Sequence, residues 1–155
     1  MDAELYNRTL SRLQALCSRR EYCRSDLFRK ACEAMDGDRN AAAALVDSLA
    51  ADRFVDDLRY ASAFARDKAR LSGWGPAKIA FQLSGKGIEK DVIREALAEI
   101  EPEELDRKMR AVLEAKHKIL QGDPQEKLKL LKFALSRGYE YEAVAKTVAE
   151  IFAEK

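Results

Sequence analysis

The stretch that decides the fold runs from Phe54 to Ile88, FVDDLRYASAFARDKARLSGWGPAKIAFQLSGKGI. It reads as a helix, a glycine corner and a second helix. Asp56 is placed as an N-cap, its carboxylate free to accept from the open N–H groups of a first turn. Tyr60, Ala61, Phe64, Lys68 and Leu71 follow at steps of three and four, which gives one apolar helix face with a lysine at its edge. Gly73-Trp74-Gly75 then ends the helix, since glycine takes positive φ without steric penalty and the corner is expected to use that freedom. Pro76 has the preset φ of a first helical position and needs no donor there. Ile79, Ala80 and Leu83 carry the next apolar face, up to Gly87.

Charge is unevenly spread. From Arg59 to Lys86 six Lys/Arg face a single acid, Asp67, although the chain as a whole is +1. A second basic run, from Arg107 to Arg137, has nine Lys/Arg against Glu114, Asp123 and Glu126. Basic helix faces are often merely solvated. Here the scarcity of acids and a tryptophan at a glycine corner favour a contact surface.

The ordered set Val55, Asp56, Asp57, Tyr60, Ala61, Phe64, Arg70, Gly73, Gly75, Ile79, Leu83, Lys86, Gly87 and Ile88 resembles the central signature of the RecX family, regulators of the bacterial RecA recombinase. A lone Asp-Asp or Gly-x-Gly is common, whereas the whole series in order is specific. Trp74 stands where such sequences often carry a basic residue, and Leu58 where an acid is frequent. The resemblance implies tandem three-helix repeats. It also implies a protein that lies in the groove of a RecA–DNA filament and restrains strand exchange, ATP turnover and the filament's co-protease role.

The rest of the chain fits a repeat array. Tyr6, Leu10, Leu13 and Cys17 line an opening helix, and Ser25 is a good N-cap for a second one through Leu27, Phe28, Ala31, Cys32 and Met35. A third follows with Ala42, Leu45 and Leu49 inward. Val92, Ile93, Ala96, Leu97 and Ile100 give a sixth, and Glu101-Pro102 ends it. Leu105, Met109, Val112, Lys116 and Ile119 give a seventh. Asp123-Pro124-Gln125-Glu126 has the spacing of a capping box, starting an eighth with Leu128, Leu131 and Leu135. Tyr141, Val144, Val148, Ile151 and Phe152 give the last. Phe81-x-Leu83-Ser84 before Gly87 matches Phe133-x-Leu135-Ser136 before Gly138, and the same offset counted back reaches Met35-Asp36-Gly37. Such a period marks stacked helical repeats. The expected fold is therefore all-α, with three tandem three-helix repeats at 1–53, 54–101 and 102–155, stacked into an elongated, curved array.

Composition sets the remaining bounds. At 155 residues, with 47% apolar and 35% charged residues, three prolines and seven glycines, the chain suits a helical protein and not a β-sandwich. No apolar run is long enough to span a membrane, and the polar N-terminus is no signal peptide; a cytoplasmic monomer is expected. Cys17, Cys23 and Cys32 lack CxxC spacing and read as free, mostly buried thiols. With only His117 besides, expected to be solvated between Lys116 and Lys118, no metal set is credible. No GxxxxGK[ST] occurs, and Gly73-Trp74-Gly75 follows no strand. Neither enzymatic activity nor a cofactor is expected.

The partner surface is assigned to Arg59, Arg66, Lys68, Arg70, Trp74, Lys78 and Lys86, with Arg20 and Arg24 from the first basic corner. The alternative is a DNA-binding regulator that uses helix–GWG–helix as a helix-turn-helix. Its recognition helix would offer only Lys78 and Gln82 as base readers. A chain with 28 basic and 27 acidic side chains should also hold naked DNA only weakly at physiological salt.

Overall fold

The computed structural model describes residues 2–154. Among them are nine helices and no strand: α1 (Ala3–Cys17), α2 (Arg24–Ala34), α3 (Arg39–Ala51), α4 (Asp57–Leu71), α5 (Pro76–Gly85), α6 (Lys90–Ala98), α7 (Pro102–Leu120), α8 (Glu126–Ser136) and α9 (Tyr141–Ala153). Side-chain caps start several of them. Asp2 accepts from the amides of Glu4 and Leu5 at 3.0 and 3.1 Å, Asp38 from Ala41 at 3.0 Å, and Asp56 from Arg59 at 3.1 Å. Proline opens α5 and α7.

The helices bury their apolar faces in three clusters. One holds Leu13, Leu27, Leu45 and Leu49 of α1–α3, the next Ala61, Ala65, Ile79, Leu83 and Ile93 of α4–α6, and the third Met109, Leu113, Leu130, Val144 and Val148 of α7–α9. The 51-residue spacing has a backbone basis. Asp36, Gly87 and Gly138, 51 apart in each step, all have positive φ (54°, 76° and 95°) at the ends of α2, α5 and α8. In each case the next amide closes on the carbonyl five residues back: Gly37 on Cys32 at 2.8 Å, Ile88 on Leu83 at 3.3 Å, Tyr139 on Ala134 at 3.3 Å. These are Schellman closures, which satisfy helix-end carbonyls.

Several local expectations change. Ser25 is not the cap of α2. Cys23 holds that position, and the Ser25 hydroxyl instead donates to the Lys86 carbonyl at 2.6 Å. The capping box at Asp123 does not close. Asp123 accepts from the Gln125 amide at 2.8 Å and from Lys129 Nζ at 2.6 Å, but the Glu126 carboxylate turns to the His117 ring, and α8 starts at Glu126. His117 is therefore packed, with a side chain only 12% exposed, and not solvated. On α8 the inward residues are Leu130 and Ala134, while Leu128 and Leu135 lie outward; Leu71, Ile119 and Tyr141 are likewise exposed. The cysteines are free thiols, with Cys23 buried and Cys17 and Cys32 half-buried.

Candidate partner-binding surface

The glycine corner between α4 and α5 is a joint. Gly73 takes φ +67°, as a helix stop requires. Gly75 does not: its φ is −87°, ordinary for any residue. Glycine is needed there for space, since a Cβ would lie 2.5 Å from the Gly138 backbone. The turn after α8 is clamped onto this corner. The Gly75 amide donates to the Arg137 carbonyl at 2.7 Å and the Ala77 amide to the Gly138 carbonyl at 3.0 Å. The Arg137 guanidinium donates to the Ser72 carbonyl at 2.6 Å, and the buried Tyr139 hydroxyl to the Gly73 carbonyl at 2.9 Å. Carbonyls from the C-terminal end of α8 thus meet open N–H groups at the start of α5, a favourable head-to-tail alignment of helix dipoles. Burial pushes the Tyr139 hydroxyl up to about 12.

The corner fixes Trp74. Its ring meets Phe64 edge-on at 6.2 Å, and the ammonium groups of Lys68 and Lys78 lie 4.8 and 4.6 Å from its centroid. The indole is half-buried, not fully exposed, and holds two lysines by cation–π attraction. No ion pair among the described residues engages Lys68, Lys78 or Arg66.

The other basic residues are differently employed. Arg59 Nε binds Glu21 at 2.5 Å, and its guanidinium also donates to the carbonyls of Arg53 and Phe54. Arg24 pairs with Asp47 at 2.7 Å, Lys86 with Asp26 at 3.4 Å, and Arg70 with Glu104 at 3.6 Å. Arg20 lies over the Tyr22 ring, 4.0 Å from its centroid. Arg59, Lys86 and Arg70 each tie one helix triplet to the next. Burial alone would raise the Asp26 carboxyl, but the Cys23 and Lys86 contacts outweigh it and hold the group below its ordinary value. On Lys86 the lowering by burial is overcome by Tyr60 and Asp26, so its ammonium is favoured. The sequence set is thus brought together only in part: Lys68, Trp74 and Lys78 gather at the α4–α5 corner, Arg66 and Arg70 line a cavity on another side of α4, and Arg20 and Arg24 stand by the first triplet.

Residues 56–97, which span α4 to α6, match the family model described as the second three-helix domain of RecX. The chain is 35% identical over 135 residues to the regulatory protein RecX of Chromohalobacter salexigens, with 86% of each chain covered. The chain belongs to the RecX family. Its resemblance to the regulatory protein RecX of Chromobacterium violaceum is 31% over 139 residues, covering 90% of this chain and 88% of that one. A crystal structure of regulatory protein RecX matches the fold with a TM-score of 0.86 at 20% identity, over 96% of this chain and 73% of that one. RecX from Lactobacillus salivarius matches with 0.87 at 19% identity, over 97% and 99%.

RecX family members are thus named regulatory proteins, and the signature residues here divide between core positions, such as Ala61, Ile79 and Leu83, and joints. Asp56 caps its own helix, whereas the carboxylate of Asp57 reaches back to accept from the Arg24 amide at 2.8 Å, capping α2 of the preceding triplet. Sequence spacing alone reads both as features of one helix start. Gly75 and Lys86 are joint residues too. Among the described residues, no group of three or more His, Cys, Asp or Glu is placed to hold a metal ion, and no helix is long and apolar enough to cross a membrane.

Proposed function

We propose that this RecX protein binds RecA filaments on DNA and restrains recombinase, ATPase and co-protease activity, acting by binding and without catalysis of its own. The observation that carries the reading is the Lys68–Trp74–Lys78 stack. Two ammonium groups that make no ion pair among the described residues are held on one ring by a corner clamped to the turn after α8. Pre-organised charge of this kind offers acidic protein surface or phosphate several contacts at low ordering cost. The choice of RecA as partner rests on the family resemblance of the stretch from Val55 to Ile88.

A helix-turn-helix acting on DNA directly has less support. Such a motif reads bases with the first residues of its second helix. Here backbone amides at that end of α5 are already taken, Gly75 by the Arg137 carbonyl and Ala77 by the Gly138 carbonyl, and so do not offer themselves to a phosphate. We also take the triplets 1–53, 54–101 and 102–155 as the repeat units of this binding array. Co-sedimentation with RecA filaments on single-stranded DNA, against the same DNA without RecA, tests the function. Pelleting only with filaments is the expected result. Equal pelleting with protein-free DNA would replace the filament reading by the direct one.

A further inference from the structure

The outer face of α4 borders two cavities whose linings include none of Lys68, Trp74 and Lys78. One, of 370 Å³, lies between α4, the end of α6 and α7; the other, of 490 Å³, lies between α4 and the turn before α2. Both are lined by Ser62, Arg66 and Glu99, so they form one groove along the helix. Its two halves differ. The half toward α7 has an apolar floor of Ala69, Ile100 and Leu105 under four cations, Arg66, Arg70, Arg107 and Lys108. The half toward α2 carries Glu21 and Asp56, with Arg59 already bound to Glu21.

We propose that this groove is a peptide-binding cleft, whose basic half takes an acidic segment of a protein partner carrying one bulky apolar side chain. The apolar floor accepts that side chain, since burying it there removes both surfaces from water. The four cations receive its carboxylates, and the one ion pair of Arg70 among the described residues, with Glu104, is long and solvated, so a partner carboxylate can replace it. A nucleic-acid strand fits worse. Its evenly spaced phosphates would run past Glu99 and Glu104 in the basic half and then Glu21 and Asp56 in the other. The polarity also fixes direction, with the acids of the bound segment at the α7 end.

The test is a titration of the full-length chain with two labelled probes, read by fluorescence anisotropy and by amide chemical shifts. One probe is a synthetic peptide of glutamates around a single phenylalanine; the other is an oligothymidylate of equal charge. The peptide should bind, with shifts centred on Arg66, Ala69, Ile100 and Lys108. Replacing its phenylalanine by serine should weaken it at least fivefold. Ala111→Trp, at the exposed rim of the same cavity, should weaken it at least tenfold while helicity and melting stay unchanged. If Ala111→Trp melts early, Arg107→Glu with Lys108→Glu gives the same reading from solvated charges. The proposal is overturned if the oligonucleotide moves these amides and the peptide does not, if the peptide shifts map elsewhere, or if serine binds as well as phenylalanine.

Discussion

Single residues carry the joints, and their replacement separates two reasons for a glycine. Gly75→Ala should destabilise by roughly 1–3 kcal/mol, because a methyl group must push the Gly138 backbone away although φ is ordinary. Gly73→Ala should cost about 1 kcal/mol from its positive φ, with some added crowding against Val112. Gly85→Ala has the opposite sign. It lies in α5 with open space around the new methyl, so it should stabilise by about 0.5–1 kcal/mol. Denaturant midpoints of the three variants check the order, and equal values for Gly75 and Gly85 would refute the close approach. Tyr139 gives a pH test of the same joint. Its hydroxyl titrates higher folded, at about 12, than unfolded, near 10. The stabilisation is therefore complete below about pH 10 and is lost as pH rises towards 12. Tyr139→Phe should lower stability at neutral pH by about 1–2 kcal/mol, leaving the Gly73 carbonyl without this donor. Its alkaline decline should be shallower than that of the parent.

At the scale of elements, what was legible and what was not divide by distance along the chain. Helix periodicity, Asp56 as a cap and Pro76 as a first residue depend on neighbours a few positions away, and the structure has them. Asp57 on α2, Ser25 on Lys86 and Arg137 on Ser72 join residues 33, 61 and 65 positions apart. No local pattern reports them. The α8 face differs from its sequence pattern for a related reason, since Leu128, Leu130, Leu131 and Leu135 offer two registers and only the fit against α7 and α9 selects Leu130. Asp57→Ala should therefore weaken the α2 end and not only α4: a loss of about 1 kcal/mol, with faster hydrogen exchange at the Arg24 amide. Protection unchanged at Arg24 would limit Asp57 to its own helix. The Asp26–Lys86 contact adds an acid-side signature between the same triplets. The Asp26 carboxyl titrates below its ordinary value, so its stabilisation is present above about pH 4 and fades as pH falls through the folded value. Asp26→Asn should flatten that part of a stability–pH curve.

In the whole molecule, the repeat explains why part of the candidate surface was legible and part was not. The second helices form a row, in which the turn after α5 docks by Lys86 on the start of α2 and the turn after α8 docks by Gly138 on the start of α5. Such a row uses charge at its joints, and a count of basic residues cannot tell a joint from an open face. Lys86, Arg59 and Arg70 are occupied in this way, which leaves Arg66, Lys68 and Lys78 as the cations best able to meet a partner. Reversing Arg70 would place a glutamate against Glu104 and confuse a folding effect with a binding effect. The decisive variant is Lys68→Glu with Lys78→Glu. Lys68 lies over the rings of Phe64 and Trp74 and Lys78 over that of Trp74, with no ion pair to either among the described residues, so helicity and melting should hold within about 1 kcal/mol of the parent. Filament co-sedimentation and inhibition of RecA ATP turnover should weaken at least tenfold, because two attractions become repulsions at one place. The parent's affinity should fall as salt rises, and the variant's should fall less steeply. A folded variant that inhibits at parental concentrations would place the filament contact on another surface and leave the tryptophan stack as a purely structural brace.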